Sequence, residues 1–247
     1  MLAKLMKHEI LSSYRKFLPI YAGVILLTLI TSFSFNIQSI SAAATFTSLL
    51  FTLVGITMLF TFYTIIINLG QRVFGKPGYL LFTTPASTIE IMLSKVLINM
   101  MWLIVSILVS MFAASLFILS AFRENVFTIL GQLIDLVIQN PYESYTIIVA
   151  GFTYALYMIG MLFFLFALLN MIYKGEKKIL IGILLYFAIG QVVNVITSIF
   201  LGAYMSFGTA FIEDFNSIWV FTGTFFVLSA AFYVLTYIII DRKLEIQ

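Results

Sequence analysis

The chain of 247 residues is 62% hydrophobic and only 9% charged, too few polar groups to coat a water-soluble globule of this length. Its net charge of +3 comes from basic residues in short clusters between apolar runs, the arrangement that encodes membrane topology and not a face for nucleic acid. Cysteine is absent, which excludes disulfides, thiolate nucleophiles and cysteine metal sites.

The fold class expected is all-α: a polytopic membrane protein whose six-transmembrane-helix bundle forms one transmembrane domain over 1–247, opening on an N-terminal interfacial amphipathic helix at 1–17. In that opening stretch Ala3, Met6, Ile10, Tyr14 and Phe17 recur at helical spacing opposite Lys4, Lys7, Ser12 and Arg15, as in a helix lying on the inner leaflet. The alternative is a signal peptide cleaved near Ser41–Ala44; the leader is too long and the apolar run is span-length. His8, the single histidine, sits among Lys4, Lys7 and Glu9 and reads as a solvated interfacial residue. One histidine cannot assemble a multi-histidine metal centre, and it is far in sequence from every span serine.

Spans are read from uncharged runs, because Lys, Arg or Asp at a helix centre costs about 2.5–3.5 kcal/mol on insertion scales. They fall at about 18–35, with Pro19 in the first turn, then 42–69, 96–120, 145–172, 179–204 and 217–240. Each reaches the ~20 residues that cross ~30 Å of hydrocarbon. Alternate connections then divide the basic residues: Lys4, Lys7, Arg15, Lys16, Arg72, Lys76, Lys95, Lys174, Lys177, Lys178, Arg242 and Lys243 on one side, Arg123 alone on the other. The positive-inside rule makes the twelve cytoplasmic, together with both termini.

Between the second and third spans lies the longest cytoplasmic connection, and it is apolar. Gly70 to Pro77 has the spacing of a phosphate-binding loop, but Pro77 stands where Ser or Thr would hold magnesium, and a membrane helix precedes it in place of a buried strand. Tyr79, Leu80, Leu81 and Phe82 form a knob between Pro77-Gly78 and Pro85, suited to docking in a groove of a cytoplasmic protein or to folding back on the inner leaflet. Ser87 and Glu90 form a capping box, so a helix starts at Thr88 and protrudes before it enters the membrane.

A second amphipathic segment, 126–139, aligns Val126, Ile129, Leu130, Leu133, Ile134, Val137 and Ile138 and is too short to span. Its expected place is the outer surface, the alternative being the bundle. The spans hold no carboxylate or histidine for an ion relay. They do hold Asn68, Asn99, Asn170, Gln191 and Asn194, as interhelical hydrogen-bonding groups or as polar lining of a path. Asn99, Gln191 and Asn194 are the candidates for a substrate path, the last two sharing a helix face. Gly151, Ala155 and Gly160 offer small-residue spacing for close helix contact.

Three features come together here: the basic start Met1 to Glu9 leading into Phe17-Leu18-Pro19, six spans without a soluble domain, and Gly78 to Ser87 followed by Ser94-Lys95. In these the chain resembles, over essentially its whole length, the permease subunits of bacterial ABC-2-type ATP-binding-cassette exporters. The resemblance implies that residues 71–86 carry a coupling helix seated in a cleft of an ATPase subunit. Its coupling residues would be Arg72, Lys76, Gly78, Tyr79, Leu80, Phe82, Pro85, Ser87 and Glu90. Many relatives carry an acidic residue near the glycine of this loop; here Lys76-Pro77-Gly78 stands instead, which turns the expected contact to Arg72 or Lys76. Also implied is a complex of two permeases, as a homodimer or two related chains, with two cytoplasmic ATPase subunits in the lipid of a bacterial plasma membrane. The chain itself would be no enzyme and hold no cofactor, ATP and magnesium being bound by the partner ATPase. It would export an amphipathic peptide, antibiotic or lipid-like compound. The competing readings are a non-transporting sensor, immunity or scaffold subunit, and an ion-independent carrier.

Overall fold

A computed structural model of the protein describes residues 2–36, 40–75, 87–122, 131, 134–135, 137–173, 175, 178–207 and 216–243. These hold six long helices and no strand: α1 (Leu2–Asn36), α2 (Ile40–Phe74), α3 (Thr88–Phe122), α4 (Pro141–Ile172), α5 (Lys178–Phe207) and α6 (Asn216–Lys243). Each contains a stretch long and apolar enough to cross a bilayer. The chain is an all-α, multi-pass membrane protein. Hydrocarbon explains why runs rich in Ile, Val, Phe and Thr are helical here. With no water to bond free backbone groups, a segment that crosses alone must close its hydrogen bonds within itself.

Two helix boundaries differ from the sequence expectation. The predicted division at residues 17 and 18 does not occur, since α1 is continuous and carries Pro19 in its interior and not in a first turn. Proline there removes the bond an N–H would give to the Arg15 carbonyl. Packing offsets that loss: Met6, Ile10 and Tyr14 rest on a cluster of Phe17, Ile98 and Trp102, so the apolar face of the opening segment is covered by protein. α2 likewise continues past 69 to Phe74, because Val73 is buried and the Phe74 ring meets Phe163 edge-on at 5.9 Å. Gly70 and residues 71–74 are therefore helical.

The chain packs as two compact units, one of Met1–Ile65 with Leu97–Asn140 and the other of Ile66–Val96 with Pro141–Gln247. In the first, Phe17 is fully buried, stacked on Trp102 at 4.3 Å and edge-on to Phe60 at 5.3 Å. A chain of hydroxyls runs beside it: Ser106 Oγ lies 2.7 Å from Tyr21 Oη and 2.8 Å from Thr61 Oγ1, tying α1, α3 and α2 together. In the second unit α4 packs along α6. Phe164 stacks on Phe232, and Tyr233 Oη donates to the Leu156 carbonyl at 2.9 Å. Trp219 Nε1 donates to Tyr142 Oη at 2.8 Å. Lys95, the only buried charged side chain among the described residues, is held in polar interaction, as a cation out of water must be.

Glycines set the closest approaches in the second unit. A methyl group on Gly160 would lie 3.1–3.2 Å from the Tyr233 ring, and one on Gly70 would lie 2.8–3.0 Å from Phe166. Of the small-residue trio, Gly160 and Ala155 are buried, whereas Gly151 is exposed with nothing near it. We expect Gly70→Ala to force the Phe166 ring aside and lower stability by about 1–3 kcal/mol, as overpacking does. Thermal unfolding in detergent reads this out, with Phe166→Leu in the same chain restoring most of the loss. A Gly70→Ala melt identical to the parent's would refute the close fit.

Candidate functional site

Polar groups in a membrane helix need partners, so the polar span residues can be sorted by what they bond. Hydroxyls are satisfied by their own helices: Thr28, Thr57, Thr64, Thr222 and Thr236 each donate to the carbonyl four residues back at 2.7–2.8 Å. Such local bonds let a hydroxyl face lipid or protein at little cost. They mark no path.

Amides separate the two readings that the sequence left open. Asn68 and Asn99 are buried and each holds a polar interaction, although the Asn99 Nδ2 atom itself makes no hydrogen bond to a described residue. Asn170 donates through Nδ2 to the Phe166 carbonyl at 2.7 Å and accepts from Lys178 Nζ, which joins α4 to the start of α5. Asn99 is 1% exposed in the unit that holds Phe17 and Trp102, and it lines neither of the two grooves described below. Gln191 and Asn194 behave differently. Both are exposed at the middle of α5, a helix whose only buried side chain among its described residues is Val193. Neither side chain hydrogen-bonds any described residue.

Both amides open onto a groove of about 330 Å³ formed within the second unit by α4, α5 and α6. α4 contributes Tyr154, Tyr157, Met158 and Met161; α5 adds Tyr186, Phe187 and Thr197 beside the amides; α6 adds Phe225. Its rings are in mutual contact. Tyr157 lies 4.8 Å from Phe225 and 5.9 Å from Tyr154, and Tyr154 meets Phe225 edge-on at 5.4 Å. Tyr157 Oη donates to Met161 Sδ at 3.3 Å, which holds that ring in the wall. No charged side chain lines the groove. It can therefore take an apolar or aromatic body and satisfy a few neutral hydrogen-bonding groups. The tyrosines went unassigned in the sequence. Their signal was position, since tyrosine gathers at the membrane–water boundary, whereas Tyr154 and Tyr157 lie in the middle of α4.

A second groove, about 380 Å³ between α3, α4 and α6, is almost wholly apolar, with Met92, Val96, Tyr233 and Tyr237 in its walls. It offers no amide.

Of the expected coupling residues, Lys76, Gly78, Tyr79, Leu80, Phe82 and Pro85 lie outside the described residues. Arg72 occupies the last turn of α2, where a cation complements the helix dipole. Ser87 and Glu90 form the reciprocal cap: the Glu90 amide donates to Ser87 Oγ at 3.2 Å, and the Ser87 amide donates to Glu90 Oε2 at 3.2 Å. The Ile91 amide closes the first turn on the Ser87 carbonyl at 3.1 Å. In the segment 126–139, only 131, 134–135 and 137–139 are described; there Ile134, Val137 and Ile138 are exposed.

The cap generates a measurable expectation. Ser87→Ala should weaken the first turn of α3 by about 1 kcal/mol, which accelerates exchange of the Glu90 and Ile91 amide hydrogens about fivefold relative to those near Trp102. Unchanged exchange at these two positions would show that the box does not hold the turn.

Comparison with known proteins gives no match to this chain, neither a family model nor a curated protein nor a solved structure.

Proposed function

We propose that the chain is the membrane-spanning permease subunit of an ATP-binding-cassette exporter. In this reading it forms the path for an amphipathic substrate while separate subunits bind magnesium and hydrolyse ATP. One observation carries it: Gln191 and Asn194 stand exposed and unbonded to described residues at mid-helix, in a groove walled by tyrosines and free of charge. Such a surface is costly in plain lipid and suits a guest that is apolar with a few polar groups. The sequence places no carboxylate or histidine inside the expected spans, which fits a transporter driven by a partner better than one driven by an ion gradient. The resemblance of residues 71–86 to a coupling segment supplies its docking point, and the capped start of α3 joins that segment directly to a span.

The same reading puts both termini in the cytoplasm of a bacterial cell, since twelve of the thirteen basic residues share one side. The absence of cysteine makes labelling clean. Lys7→Cys should be shielded from an impermeant thiol reagent in intact cells, and Glu143→Cys should react; the reverse pattern inverts the topology.

Coupling is tested by co-expressing the chain with a candidate ATP-binding-cassette ATPase. Tyr79→Ala with Phe82→Ala should reduce co-purification of that ATPase about thirtyfold in affinity, the loss of about 2 kcal/mol that a buried aromatic anchor carries. The membrane helices should remain folded. If the double variant assembles and transports as the parent does, residues 71–86 have no coupling role.

A further inference from the structure

The α4–α5–α6 groove carries an inference about what it binds. Three tyrosines and Phe225 wall it, and the rings of Tyr154, Tyr157 and Phe225 are inclined to one another by 36–82°, so their faces cannot all turn in one direction. Each face is the negative pole of a ring quadrupole and attracts a cation placed over it, more strongly where water is excluded. Gln191 and Asn194 add neutral acceptors and donors at mid-helix. What the lining lacks decides the charge density of the guest. Without a carboxylate, ring faces alone do not repay the removal of water from a small, strongly hydrated cation. A bulky cation with dispersed charge and an apolar exterior loses little on leaving water, and it uses both the rings and the aromatic bulk of the wall.

We propose that this groove is a binding site for lipophilic organic monocations, of the tetraarylphosphonium or tetraalkylammonium class. The proposal rests on the exporter reading only in calling the bound cation a substrate; the site itself stands on the groove's geometry. Tyr154 and Tyr186 are the residues to vary, because their rings line the groove while remaining exposed; Tyr154 also meets Phe225 edge-on, so thermal unfolding of the leucine pair is measured beside its binding.

The test uses the full chain in nanodiscs of uncharged phosphatidylcholine, with binding to empty nanodiscs subtracted. Tetraphenylphosphonium and tetraphenylborate have one shape and opposite charge. The cation should bind saturably at one site per chain, and the anion should not saturate. Tyr154→Leu with Tyr186→Leu should weaken cation binding roughly threefold to thirtyfold, whereas Tyr154→Phe with Tyr186→Phe, which keeps the ring faces, should bind nearly as the parent does. Saturable binding of the anion with equal affinity, or cation binding unchanged in the leucine pair, would overturn the assignment. Cation binding that follows this pattern while cells with and without the chain retain the cation equally would uphold the site and count against the exporter reading.

Discussion

A hydrocarbon solvent penalises every polar group that lacks a partner, and the structure is organised by that constraint. Backbone groups meet it through six long helices. Many threonine and serine hydroxyls meet it inside their own helices, by bonding back to carbonyls three or four residues earlier. Asn170 meets it by bonding the Phe166 carbonyl and Lys178, whereas Ser13 Oγ and Asn99 Nδ2 are buried without a hydrogen bond to a described residue. Gln191 and Asn194 differ from these in being exposed at mid-helix without a side-chain hydrogen bond to a described residue, and they share one groove. Function is read from that pair.

Association of helices in lipid gains nothing from hiding oily side chains, because lipid is equally oily; close packing and specific contacts have to supply it. The chain answers with aromatic surfaces fitted to glycine. Phe166 lies over Gly70 and Tyr233 over Gly160, and the Tyr233 hydroxyl completes its fit by bonding the α4 backbone. In the other unit a stacked pair, Phe17 and Trp102, does the corresponding work beside a three-hydroxyl chain. Gly70 is thus accounted for by a ring and by helical backbone, without reference to the phosphate-loop spacing it shares by chance.

How much of this was legible in the sequence depends on what each feature is made of. The spans were, because charge is excluded from them one residue at a time. So was the start of α3, because a serine and a glutamate three residues apart are a local device whose two bonds form as expected. The ends of α1 and α2 were less so. Whether residues 6–17 lie on lipid or on protein is settled by Trp102, some ninety positions away, and the last turn of α2 is held by Val73 and Phe74. The groove was half legible. Gln191 and Asn194 announce themselves as polar groups one turn apart, but helices that are apolar all round carry no pattern that says which way they face. The sequence alone therefore could not bring Tyr154 and Tyr157 of α4 to the same opening, nor bury Asn99.

The stacking of Phe17 on Trp102 has a practical side. The chain has only two tryptophans, and they fall one to each compact unit: Trp102 in the first, buried against a ring, and Trp219 in the second, in the first turn of α6 with its indole N–H on Tyr142. Nature has in effect installed two spectroscopic probes in separately packed parts of one molecule. With either tryptophan replaced by phenylalanine, the emission of the other reports on its own unit alone: a shielded, rigid indole in one case and a hydrogen-bonded one in the other. Melting, lipid exchange or ligand addition can then be followed unit by unit in an otherwise unlabelled protein.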